Sequence, residues 1–294
     1  VNPVALALKS QLNELARRKT GSRRWEDLGD ARVILPESSI PWGVAHFVGG
    51  AVLGQFPELC YDALLRPLAD RAGIAVICTP YELGTDHYTL AQQVGEDFEA
   101  ALSLGAARYG WPIDTMPRLA LGHSLGSKLQ VMRCCEADRK VYGLGLLAFN
   151  NFGVEDQVRL LRETLKAVRG EGAFDAPDSL WERVLQPAIG RVARLSGMEF
   201  KPGPEELLDT VAASFKGVGR VRMFRFEDDN LDCSEDLLEA LGDKGAPNVS
   251  REILPGGHLT PVVVKLTDVT QAAAQAAASG RMPGGMPGMP GMPP

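Results

Sequence analysis

With 294 residues, 45% of them hydrophobic, the chain can bury one large core, and an α/β domain of this length is often single. A net charge of −6 and a pI near 5.4 argue against a nucleic-acid binder, which carries a basic field. No apolar run approaches the roughly 20 residues that a membrane-spanning helix needs, so the composition reads as that of a soluble protein without a transmembrane segment.

Residues 1–24 hold a helix-like stretch with Leu6, Leu12 and Leu15 beside Arg17, Arg18 and Lys19, expected as a peripheral helix. The segment begins at Val1 and shows no signal-peptide pattern. Short strands are expected around Arg32 to Leu35, Val44 to Val48 and Ile74 to Cys78. Between the last two, Leu64, Leu65 and Leu68 give Glu58 to Arg71 one apolar helical face. A second helix is expected from Thr89 to Leu104. The run Pro117 to Leu121 then reads as a strand, followed by a helix in which Leu125, Leu129 and Met132 recur at helical spacing. Another strand follows from Gly143 to Phe149. Strands alternating with helices predict βαβ units and a mostly parallel central sheet.

Residues 153–216 interrupt that rhythm with three amphipathic helices (Val154 to Val168, Ser179 to Leu195, Pro204 to Phe215) and no convincing strand. Inserted after the strand at Gly143 to Phe149, they are expected to form a helical cap over the active edge of the sheet. Leu160, Leu161, Leu165, Trp181, Val184 and Leu185 either select an apolar acyl group or fasten the cap to the core. The sheet resumes at Arg220 to Phe226 and Val249 to Leu254, and Leu259 to Ala278 is expected as a closing helix. The main domain therefore covers residues 25–279. Residues 280–294 are a Met-Pro-Gly tail that proline and glycine keep from helix or ladder. It is expected to be flexible, with contact to a protein partner as the rival use. The five cysteines show no zinc or redox spacing and are expected as buried thiols.

The chemistry centres on Gly122-His123-Ser124-Leu125-Gly126, which lies between a strand and a helix. A Gly-x-Ser-x-Gly in that setting is a nucleophile elbow. Small residues two before and two after the serine let strand and helix approach, and its hydroxyl stands at the sheet edge above a helix N-terminus. A serine needs a base, and the base needs an orienting carboxylate further along the chain order. His258 is the one histidine beyond the elbow, in the loop Pro255-Gly256-Gly257-His258. His46 lies inside a strand, His87 starts the loop before a helix, and His123 is the variable elbow residue. The acid is expected in Glu227-Asp228-Asp229-Asn230-Leu231-Asp232. Loop register favours Asp229, with Asp228 and Asp232 as alternatives. Oxyanion donors would be the N–H of Leu125 and that of Gly50 or Ala51 in the loop after Val44 to Val48. No metal cluster, Walker loop or dinucleotide fingerprint is evident, so no cofactor and no metal are expected.

The chain resembles an α/β-hydrolase-like family of plants, algae and cyanobacteria catalogued as a domain of unknown function. The resemblance rests on Val48-Gly49-Gly50-Ala51, on Gly122 to Lys128, and on Phe149-Asn150-Asn151-Phe152. Phe226-Glu227-Asp228-Asp229 with Asp232, and Gly257-His258-Leu259-Thr260-Pro261, complete it. It implies an α/β-hydrolase fold and an oxygenic phototroph, with a chloroplast stromal location in a eukaryote and a cytoplasmic one otherwise. It names no substrate. The residues themselves point to a serine hydrolase acting on a small-molecule ester or thioester, apolar or lipid-like. The alternative is a non-catalytic binding or assembly factor on the same scaffold.

Overall fold

The computed structural model describes residues 25–37, 40–136, 140–153, 199–242 and 248–262. The expected N-terminal helix, the first two cap helices, the closing helix beyond residue 262 and the C-terminal tail lie outside the described residues.

Among the described residues, eight strands form one sheet: β1 (Trp25–Leu28), β2 (Ala31–Ile34), β3 (Val44–Val48), β4 (Ala75–Cys78), β5 (Arg118–His123), β6 (Gly143–Leu147), β7 (Val221–Phe226) and β8 (Val249–Leu254). Their order across the sheet is β1-β2-β4-β3-β5-β6-β7-β8. From β4 to β8 every pairing is parallel, and the β1–β2 hairpin is antiparallel and adds to β4 antiparallel. β3 and β4 are buried at every position, which is why Val44-Ala45-His46-Phe47-Val48 reads as a continuous run rather than an alternation.

The helices cover both faces. Pro57 starts α1 (Pro57–Cys60), and after a break at Tyr61 the chain enters α2 (Asp62–Ala72), which ends at Gly73 in a left-handed conformation. The single helix expected over Glu58 to Arg71 is therefore two. On their face Leu59, Leu65 and Ala69 pack with Ala45, Phe47 and Val76. On the other, α3 (His87–Tyr109) buries Phe98, Ala101 and Leu102 against Val44, Ala75 and Ile77. Asp86 caps α3 through the Thr89 N–H (3.1 Å), so the helix begins two residues earlier than its apolar spacing suggests. His87 is accordingly the first residue of that helix, buried and stacked on Phe200, not a loop residue.

α4 (Leu125–Cys134) lies beside α3, and Leu125 and Leu129 join Ala120, Leu144 and Leu146 in the largest core cluster. Of the inserted region, α5 (Pro204–Ser214) is described. Its Leu207 and Val211 enter that same cluster with Leu237 of α6 (Ser234–Leu241), so this helix is fastened to the core. Among the described residues, no helix is long and apolar enough to cross a membrane.

The sequence reading missed β1. Glu26 and Asp27 break its apolar pattern, yet the signal was there: Gly29-Asp30 between two short runs is a two-residue hairpin connection, and Gly29 takes a φ of 64°.

Candidate active site

The elbow is built by close approach. A Cβ on Gly122 would sit 2.5 Å from Ser127 Cα, and one on Gly126 would run into the carbonyl oxygen of Val48. With glycine at both places, α4 leaves β5 tightly enough to hold Ser124 at φ 55°, ψ −122°, a conformation costing on the order of 1–3 kcal/mol. Its N–H donates to the Leu147 carbonyl (2.9 Å) and Ser127 Oγ donates to the same oxygen (3.2 Å), tying the turn to the end of β6. Ser124 is almost wholly buried.

The structure brings three of the expected residues into one chain of hydrogen bonds. Ser124 Oγ lies 2.8 Å from His258 Nε2, and His258 Nδ1 lies 2.8 Å from Asp229 Oδ2. A carboxylate only accepts, so Nδ1 carries the proton and Nε2 is left to accept the serine O–H. The other oxygen of Asp229 accepts the Leu231 N–H (2.9 Å), which fixes the carboxylate from behind. The alternative acids are placed elsewhere. Asp228 is exposed, and Asp232 is taken up by the N–H and hydroxyl of Ser234 at the start of α6. Burial raises the Asp232 carboxyl above its ordinary range.

A second chain runs beside the first, and sequence reasoning did not find it. Tyr61 Oη lies 2.8 Å from His123 Nδ1, and His123 Nε2 lies 2.9 Å from the carbonyl oxygen of His258. A carbonyl can only accept, so Nε2 carries the His123 proton and Tyr61 must donate to Nδ1. Tyr61 Oη in turn accepts the Gly50 N–H (2.8 Å). Burial lowers the His123 pKa to about 3 and raises that of Tyr61 well above the phenol range, so the imidazole is neutral and the phenol protonated. The variable residue of the elbow thus clamps the backbone that carries His258.

This chain corrects one expectation. The Gly50 N–H, a candidate donor into the site, is committed to Tyr61. The N–H of Ala51, the next residue, has no partner among the described residues, and Val52 after it is held at φ 64°. Leu125 opens α4, where an N–H has no intrahelical acceptor. Two further buried groups flank the site. Lys128 Nζ donates to the Pro202 carbonyl (3.2 Å), and burial lowers its pKa to about 8. Asn150 Nδ2 donates to Ser124 Oγ at 2.7 Å. Among the described residues no group of three or more His, Cys, Asp or Glu could hold a metal ion.

Comparison with known proteins agrees with the architecture. An esterase of Pyrococcus furiosus, Pf2001, superposes with a TM-score of 0.50 at 12% identity, over 85% of this chain and 84% of that one. The peroxisomal alpha-beta-hydrolase Lpx1 of Saccharomyces cerevisiae gives 0.49 at 15% identity, over 92% and 88%. The esterase domain of a Rhodothermus marinus protein gives 0.42 at 19%, over 85% and 90%. At 12% identity the likeness to the Pyrococcus esterase concerns the fold alone, and the strand order and elbow of this chain are those of an α/β-hydrolase fold. No curated protein matches the sequence. A family model described as "Protein of unknown function (DUF1350)" matches residues 24–277.

Proposed function

Since the chain belongs to that DUF1350 family, whose description assigns no chemistry, we propose from the site itself that the protein is a serine hydrolase of carboxylic esters or thioesters. The carrying observation is the unbroken chain Asp229–His258–Ser124, at 2.8 Å in both links, ending on a serine in an elbow conformation. In this reading His258 Nε2 takes the Ser124 proton as Oγ attacks the carbonyl carbon, and returns it to the departing alkoxide or thiolate. Asp229 holds the tautomer and stabilises the imidazolium. The N–H groups of Leu125 and Ala51 receive the oxyanion, and water then releases the acid by the same proton path. On resemblance alone, the protein resides in the chloroplast stroma of a eukaryotic phototroph, or in the cytoplasm otherwise. The expected substrate is a small molecule with an apolar or lipid-like group.

The test is labelling by a fluorophosphonate probe together with hydrolysis of 4-nitrophenyl esters. Wild type is expected to label on Ser124 and turn over. Ser124→Ala is expected to lose labelling and about 10⁶-fold in kcat. A folded wild type that neither labels nor hydrolyses would instead support a binding or assembly factor built on this scaffold.

A further inference from the structure

Asn150 belongs to a motif, Phe149-Asn150-Asn151-Phe152, to which the reaction just described gives no work. It is fully buried, and the chain around it is fixed from several sides. Ala148 turns the backbone off β6 at φ 48° and donates its N–H to the Phe224 carbonyl (2.9 Å). The Phe149 carbonyl accepts the Cys233 N–H (2.7 Å), and Asn151 Nδ2 donates to the Pro204 carbonyl (2.8 Å). Between these anchors the Asn150 amide does two different things. Its Nδ2 donates to Ser124 Oγ at 2.7 Å, whereas its Oδ1 is buried without a hydrogen-bond partner among the described residues.

A serine hydroxyl has one proton and two lone pairs. With the proton facing His258 and one lone pair on the Asn150 N–H, the remaining lone pair is the one free to attack. An N–H donor on Oγ fixes the hydroxyl so that its proton faces His258 and its free lone pair faces the carbonyl carbon, a positioning that carries over directly into the attack. The unpartnered Oδ1 makes a complementary demand. A buried acceptor without a donor is costly, and a site that contains one rejects a ligand that cannot supply the donor.

We infer, resting on the hydrolase reading above, that Asn150 is a further catalytic residue that also selects the substrate. Its Nδ2 steadies Ser124 Oγ, and its Oδ1 accepts a hydrogen bond from a hydroxyl or amide N–H of the substrate. Both atoms belong to one small planar amide, so that donor lies within a few bonds of the scissile carbonyl. The substrate class proposed above is thereby narrowed to an apolar or lipid-like ester or thioester that also carries a hydroxyl or amide N–H near the scissile carbonyl. In the acylation step the Oγ proton passes to His258 Nε2, the Oγ–C bond forms, and the carbonyl π pair moves to oxygen. On collapse that pair returns, the bond to the leaving group breaks, and the leaving group takes the proton from His258. Asn150 gains and loses no proton throughout.

Three 4-nitrophenyl esters test this: butyrate, 3-hydroxybutyrate and N-acetylglycinate, with spontaneous hydrolysis subtracted. Wild type is expected to favour the two donor-bearing esters by about tenfold or more in kcat/KM. Asn150→Ala is expected to bring that preference to about one and to lower kcat on the butyrate by about 10- to 100-fold. The isosteric Asn150→Asp, which replaces the donor with an oxygen, serves if the alanine variant does not fold. It is expected to label with the fluorophosphonate at least about tenfold more slowly than wild type. A wild type that labels on Ser124 while the folded variants keep its kcat, preference and labelling rate overturns this inference alone. A wild type that neither labels nor cleaves any of the three overturns it together with the reading beneath it.

Discussion

His123 and His258 lie side by side in the site, with ring centroids 5.5 Å apart, and their surroundings give them opposite characters. His258 has a carboxylate on one ring nitrogen and a serine hydroxyl on the other, so a proton arriving at Nε2 meets a negative charge across the ring. His123 has a phenol and a backbone carbonyl, neither of them charged, and burial outweighs what the carbonyl bond gives to a second proton. On the proposed reading, the same imidazole is a proton carrier in one chain and a rigid strut in the other. What separates them is the partner of Nδ1, a carboxylate against a hydroxyl.

The largest expected effect tests the carboxylate. Asp229→Asn would present an amide to His258 Nδ1 and favour the wrong tautomer, lowering kcat by about 10⁴-fold on a 4-nitrophenyl ester. Asp228→Asn and Asp232→Asn are expected to stay within about tenfold of wild type, because neither side chain bonds to His258. A kcat loss centred on Asp228 or Asp232 would move the acid out of the chain described here.

Tyr61→Phe acts on the strut. It leaves the Gly50 N–H and His123 Nδ1 buried without partners, at about 1–3 kcal/mol for each orphaned group. Urea unfolding measures that loss of stability. If the chain also fixes the loop carrying Ala51, kcat is expected to fall by about 10- to 100-fold with KM little changed.

The smallest effect concerns protons. Burial, with His258 adding to it, lowers His123 from its ordinary 6.5 to about 3. As pH falls through 6.5 the unfolded chain takes up a proton at this position that the folded chain refuses. Stability therefore decreases with falling pH across the window between about 6.5 and 3, by at most about 1.4 kcal/mol per pH unit for this one group. Burial, with Lys128 adding to it, lowers His87 to about 3 as well, and it contributes in the same direction. In His123→Asn, denaturant midpoints at pH 6 and pH 4 are expected to differ less than in wild type. An unchanged difference would mean that His123 is not the buried neutral group inferred here.

How much of this the sequence carries depends on the range of each interaction. The elbow is legible because its requirement is local: glycine must stand two residues either side of Ser124 for α4 to pass Val48. The parallel strands are legible because burial on both faces writes a continuous apolar run. Choosing among Asp228, Asp229 and Asp232 is harder, since register favours one and discards none. Exposure sets Asp228 aside and the Ser234 bonds occupy Asp232, and both are properties of the assembled sheet. The strut is illegible for the same reason. Tyr61 and His123 stand 62 positions apart, and the Tyr61 position reads as the first turn of one helix until the backbone breaks there. The commitment of the Gly50 N–H follows from that break and could not be anticipated without it.

The sheet order also sets when in the life of the chain the site comes into being. Ser124 follows β5, Asp229 follows β7 and His258 follows β8, with 134 positions between serine and histidine. A nascent chain that has emerged only as far as α6 can form the elbow, but His258 has not yet been made. The last of the described strands to be synthesised is β8, at the edge of the order they form, and its pairing with β7 delivers the imidazole. Contacts of such long sequence separation form late in folding. On the proposed hydrolase reading, reactivity at Ser124 is thus a report on completed folding, and an unfinished or misassembled chain holds an inert serine.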